Sequence, residues 1–407
     1  MKTNLFQRLC SFRLPCIATL TVAAGTSCAV ARKSVSAPDL PFALYTYTYK
    51  GESFVCSPWS LSTAMAMARE GASGATYEEL AAVCGGEPLW ESFADCDGET
   101  PEATDSEVRL RAANAVVENE CYPLLPGYRT TVETNYGASV NVMDFCAPEE
   151  VADRVNGWCE RQTEGLVRDL LDPKDITPST AALLMNALYF QGAWEGSDYR
   201  PMFLTDNTKT EDFHLSDGST CRVEMMYNKE EHRYAELDGF RVLALPYAGE
   251  QYFFYVLLPD ENDLPGLIDR LQTMTWTSVL GQLKQDADVY VRLPKFSLEN
   301  KFDLSEVLMK LGVKRAFQLD QAEFDRMFVP QDGVGFCISK VIQGAKIAVT
   351  EQGTEAGAVT IVQMMATSAF PGFECKQVHF YADHPFLFLL GDLHGNVLFQ
   401  GAFVGGN

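Results

Sequence analysis

Apolar and polar positions follow two different rhythms along this chain. From Ser57 the segment SPWSLSTAMAMAREGASGATYEELAAV opens on a Ser-Pro start, keeps an apolar stripe at helical spacing, breaks at glycines and resumes. That pattern predicts two helices joined by a turn. VADRVNGWCERQTEGLVRDLL predicts a further helix interrupted near Gly165. The rhythm then changes. AALLMNALYFQGAW (181–194) is apolar on both faces, as a central sheet strand requires. FRVLALPYAG and QYFFYVLLPDE predict paired strands around a glycine turn, and VYVRLPKFSLE a strand. LSEVLMKLG predicts a helix, ISKVIQGAKIAVTE a strand, and VHFYADHPFLFLLGDLHGNVLFQGAFV the closing strands. Helices gather in the first half and strands in the second, interleaved without a linker or repeat. The prediction is one α+β domain.

One stretch fits poorly. EQGTEAGAVTIVQMMATSAF (351–370) read at period two puts Thr354, Ala356, Ala358, Thr360, Val362 and Met364 on one uncharged side. Glu355, Gly357, Val359, Ile361 and Gln363 fall on the other. It can bury one face as a strand, yet its small residues and glycines make it a poor permanent one.

The 407 residues carry a net charge of −23. So acidic a surface argues against nucleic acid, heparin-like polyanions and anionic membranes as partners. The N-terminus is a separate object: Lys2, Arg8 and Arg13 precede the short apolar run LPCIATLTVAAG, then TSC. This reads as a secretory signal peptide over residues 1–27, too short for a stable membrane span. Cys28 after Gly-Thr-Ser resembles a bacterial lipobox, which would make it the lipidated first residue of a cell-envelope lipoprotein exported across the inner membrane. A soluble periplasmic or extracellular protein is the alternative. Residues 28–39 then form a lipid-anchored tether and 40–407 the domain. Of the 12 cysteines, nine remain once Cys10, Cys16 and Cys28 are set aside, an odd number without zinc-ligand spacing. No metal or other cofactor is expected.

NALYFQGAWE (186–195), LPKFSLE (293–299), VLMKLGVKRAF (307–317), EQGTEAGA (351–358) and ADHPFLFLL (382–390) occur in the order and spacing of the serpin family. On these five motifs residues 40–407 resemble a bacterial serpin. The resemblance implies three β-sheets, eight to nine helices and an exposed reactive-centre loop, in a monomer that traps proteases and is not itself an enzyme. It also gives the poor strand a purpose. A serpin loop is cut as a substrate, then inserts as a new strand in the large sheet and drags the acylated protease with it. Thr354 to Thr367 spans about 46 Å at about 3.3 Å per residue.

Residue by residue, the resemblance makes Glu351, Gly353, Thr354, Glu355, Ala356, Gly357 and Ala358 the loop hinge and Thr367-Ser368 the reactive bond. Ala366 and Met365 are alternative baits. A small threonine suits elastase-like or subtilisin-like serine proteases, and papain-like cysteine proteases, better than trypsin-like ones. Ser57, Ser60, Asn186 and Gln343 match the shutter beneath the sheet's opening point, with glutamine where serpins usually carry histidine. Trp194 matches the breach, where insertion begins. In the uncut protein the Thr354 side chain is expected to stay in water. Two rivals remain. Cys375 with His379 or His384 would suggest a thiol hydrolase, although His384 lies in the core DHPF segment. A non-inhibitory serpin would be a binding or structural protein.

Overall fold

The computed structural model describes residues 39–84, 108–196, 201–354 and 376–406. Cys28, Glu355, Ala356, Gly357, Ala358, Thr367, Ser368 and Cys375 lie outside them. Eight α-helices are found among the described residues: α1 (Leu40–Thr48), α2 (Pro58–Glu70), α3 (Gly74–Cys84), α4 (Pro126–Tyr136), α5 (Pro148–Gln162), α6 (Leu264–Leu271), α7 (Trp276–Leu280) and α8 (Ser305–Leu311). The sequence places several of their ends. Ser57 caps α2, its hydroxyl accepting the Ser60 N–H at 3.1 Å, with Pro58 at the first helical position. Residues 163–171, expected to continue α5, turn away instead: past the Thr163 cap, Glu164 and Gly165 take φ +50° and +84° and lead the chain out of the helix.

The strands form three sheets. One is a wholly antiparallel core sheet in the order β1 (Phe54–Cys56), β16 (Val397–Phe403), β15 (Phe386–Asp392), β9 (Tyr252–Pro259), β8 (Phe240–Pro246), β7 (Arg233–Leu237). Its central strands are buried on both faces, which is why they read as continuous apolar runs. A four-stranded sheet follows the order β14 (Lys376–Tyr381), β10 (Ala287–Pro294), β6 (Thr220–Glu231), β5 (Lys209–His214). The third and largest runs β11 (Phe296–Asp303), β12 (Ile342–Thr350), β13 (Gly353–Thr354), β4 (Ala182–Ala193), β2 (Val108–Asn119), β3 (Ser139–Met143). VYVRLPKFSLE is therefore two strands in two sheets, changing over at Lys295. The architecture is α+β, as the patterning predicted, with the three sheets that the resemblance implies.

The large sheet is covered on both sides. Val151, Ala152, Val155 and Cys159 of α5 pack on one face against Ala115, Val117 and Met185. Leu61, Met65 and Met67 of α2 lie with Val116 and α4 on the other. Both β12 and β4 pair antiparallel with the two-residue β13, so they run parallel to each other. They are joined through β13 alone among the described strands.

Candidate functional site

β13 occupies the end of a slot. Gly353 pairs with Ala193 and Thr350, and Thr354 with Gly192 and Val349. The approach is close enough to require glycine: a Cβ on Gly353 would sit 1.9 Å from the Gly192 carbonyl oxygen, and its φ is +148°. Trp194 anchors this end. Its indole N–H donates to the Thr350 carbonyl at 2.8 Å, its backbone N–H to Gln352 at 3.1 Å, and its ring stacks on Tyr247 at 4.7 Å. The Tyr247 hydroxyl shares a hydrogen bond with the Thr354 hydroxyl. Thr354 is 2 % exposed. The expectation that it waits in water is thus corrected: the small hydroxyl is buried and satisfies Tyr247, so the hinge already holds one inward residue in the sheet.

Glu351 fastens the approach to that end. Its carboxylate, 4 % exposed, lies 3.2 Å from Lys295 Nζ and accepts the Thr208 hydroxyl at 2.8 Å. Burial pushes the Glu351 carboxyl up, but its own backbone N–H, Thr208 and Lys295 more than offset this and hold it below the usual glutamate value. Sequence reasoning found Glu351 and missed both partners. Lys295 was visible inside LPKFSLE, but nothing local marked it as the switch residue between two sheets.

Beyond β13 a cavity of about 450 Å³ opens between β4 and β12. Ser57, Ser60, Asn186 and Gln343, the four residues assigned to the shutter, all line it. Gln343 closes a two-bond ring on Ser57: its Oε1 accepts the Ser57 N–H at 2.9 Å and its Nε2 donates to the Ser57 carbonyl at 2.8 Å. The Ser57 hydroxyl donates to the Leu398 carbonyl at 2.6 Å. A neutral amide supplies donor and acceptor at once, which explains how glutamine serves where histidine was expected. Asn186 bonds elsewhere. Its Nδ2 donates to Asn114 Oδ1 at 2.8 Å, and Asn114 in turn donates to the Tyr136 carbonyl at 2.8 Å. The buried Asn186 Oδ1 has no partner among the described residues. Asn114 was missed, though a buried asparagine inside an apolar strand is a readable signal.

Three of the five histidines have structural partners. His384 Nε2 lies 2.9 Å from the Pro259 carbonyl and its Nδ1 2.9 Å from Asp383, while His379 Nδ1 meets the Tyr381 hydroxyl at 2.7 Å. Burial pushes His232 down to about 4, with Nε2 2.6 Å from Asn228 Oδ1. Among the described residues no group of three His, Cys, Asp or Glu side chains is placed to hold a metal ion.

Residues 39–405 match the sequence model of a family described as Serpin (serine protease inhibitor). The chain is 33 % identical over 355 residues to Iris from Ixodes ricinus, covering 85 % of this chain and 90 % of that protein. It is 32 % identical over 358 residues to leukocyte elastase inhibitor A from Mus musculus, covering 85 % and 91 %. Among solved structures, Cleaved Serpin 42Da superposes with a TM-score of 0.76 at 28 % identity, over 91 % of this chain and 98 % of that one.

Proposed function

The chain belongs to the serpin family, most of whose members inhibit proteases, and on that premise we propose that it is a suicide-substrate inhibitor of proteases that accept a small residue before the cut bond. The observation that carries this reading is the started slot. Two parallel strands stand apart with an antiparallel strand begun between them, and the chain beyond Thr354 offers an uncharged face of matching period. The pairing of Thr354 sets a register. Counting on from it, Ala356 would face Phe190 and Ile347, Ala358 would face Leu188 and Ala345, and Thr360 would arrive between Asn186 and Gln343. There its hydroxyl would meet the unpartnered Asn186 Oδ1. Thr367, thirteen residues after Thr354, would come level with Ser179, one of the residues lining the cavity.

A strand inserted here bonds on both edges. At about 0.5–1.5 kcal/mol net per hydrogen bond, ten or more contribute on the order of 10 kcal/mol. The uncut protein is then a kinetic trap released by the cut. The protease attacks the Thr367 carbonyl and forms an acyl-enzyme, and insertion distorts it before water completes hydrolysis. Thr367 favours elastase-like or subtilisin-like enzymes, a preference in keeping with the name of the mouse relative. Secretion by the residue 1–27 leader with lipid on Cys28 belongs to the same reading, and the mass of the mature N-terminal peptide tests it.

The central experiment incubates the protein with a panel of serine proteases. A complex surviving SDS, with release of a peptide beginning at Ser368, is expected. A complex with cleavage after Ala366 or Met365 moves the bait. Simple digestion of the loop by every protease sinks inhibition and leaves a binding or structural serpin.

A further inference from the structure

At the far end of the large sheet β2 and β3 run parallel, with Asn119 opposite Met143. The Glu120 N–H donates to the Met143 carbonyl at 3.0 Å. Neighbouring strands lie about 4.8 Å apart, so the two chains leave the sheet side by side. Each carries a cysteine just beyond: Cys121 two residues after Asn119, and Cys146 three after Met143. Both are exposed free thiols, whereas Cys56, Cys84 and Cys159 are buried. Their backbones are pinned. The Cys121 N–H donates to Asn119 Oδ1 at 3.0 Å and its carbonyl accepts from Gln331 at 2.9 Å. The Cys146 N–H donates to Asp144 Oδ1 at 2.8 Å. The Asp144 carboxylate chiefly, then desolvation and the nearby Cys121 and Glu120 charges, push the Cys146 thiol up.

We propose that Cys121 and Cys146 form a reversible disulfide that fastens the start of α5 to the end of β2. Cys146 stands two residues before Pro148, where α5 begins, and α5 lies across β2 and β4 and contributes Val155 and Cys159 to the cavity wall. The bond therefore holds down the leading end of the helix that covers the slot. It closes a loop containing α4 and β3. The oxidant is a small disulfide of the glutathione type. One thiolate attacks it, forming a mixed disulfide and releasing one thiol; the second thiolate then displaces the other half. Two electrons and two protons leave the protein, and the oxidant ends as two thiols. None of this depends on protease trapping, so the two readings fail separately.

The test equilibrates the purified protein with graded mixtures of glutathione and glutathione disulfide, blocks free thiols with iodoacetamide and maps peptides by mass spectrometry without reduction. The expected result is the Cys121 peptide joined to the Cys146 peptide, two hydrogens lighter than their sum and separated by reduction. The joined form should also melt a few degrees higher, a shift absent from both Cys121→Ser and Cys146→Ser. In each variant the remaining cysteine should carry glutathione. Glutathione on both native cysteines without a cross-link, or a link from either one to Cys96 or Cys375, overturns the proposal.

Discussion

Single residues decide how this protein responds to acid. His232 is buried neutral, its value pushed from 6.5 down to about 4, so unfolding below pH 6.5 takes up a proton that folding must release. Its stability contribution is full above 6.5, falls by up to about 1.4 kcal/mol per pH unit on the way down, and is spent near pH 4. Glu351, held below the usual glutamate value, also stabilises above its unfolded value and loses that contribution as pH drops further. Denaturant titrations from pH 7 to 4 should show this decline, and His232→Gln, which can still donate to Asn228, should flatten it above about pH 4.5. Thr354 yields a second expectation. Because it is already buried against Tyr247, Thr354→Arg must bury an unpaired charge or expel the hinge, a cost of several kcal/mol in the uncut protein as well as on insertion. Lower thermal stability before any cut, together with conversion from inhibitor to substrate, is the predicted pair of effects. Glu355→Arg, on the other side of the alternation, should show neither. Unchanged stability of the Thr354 variant would return that side chain to water.

At the scale of elements, β4, β8, β9, β15 and β16 were legible because buried strands must be apolar on both faces, β12 because its buried positions alternate, and α2 because its Ser57 cap is local. Two kinds of element were not. β2 opens on alternating arginines, Val108-Arg109-Leu110-Arg111, and passes through small residues before closing on Val116-Val117-Glu118-Asn119, so no single period dominates it. The break at Lys295 was hidden because both halves of VYVRLPKFSLE read as strand, and only tertiary pairing with β6 and β12 assigns them to different sheets. The candidate site divides in the same way. Its members were readable from motif, but Tyr247, Asn114, Lys295 and Thr208 join it through long-range contacts that leave no local period. The register of β13 carries its own prediction. Thr360→Val, which keeps the shape and removes the hydroxyl meant for Asn186, should leave the uncut protein unchanged and destabilise the cleaved form by about 1–3 kcal/mol. Equal effects on both forms, measured by thermal unfolding before and after the cut, would place Thr360 elsewhere.

At the scale of the whole molecule, among the described residues only the two-residue β13 stands between β12 and β4 in the large sheet. Extending it to a full strand should raise thermal stability sharply. With an unfolding entropy of roughly 0.8 kcal/mol/K for a domain of this size, a gain of about 10 kcal/mol corresponds to roughly 10–15 °C. Calorimetry of cleaved against uncut protein checks this; an unchanged midpoint would mean that the loop stays outside.

The parallel edges of β4 and β12 also give the molecule a mechanical character. About 10 kcal/mol released over about 46 Å of travel is a mean force of ~15 pN. On the proposed insertion the slot would work as a single-stroke engine, directional because an antiparallel strand can be laid down only from the end where Gly353 and Thr354 already sit. A load above that force, applied to the passenger, should stall the stroke partway.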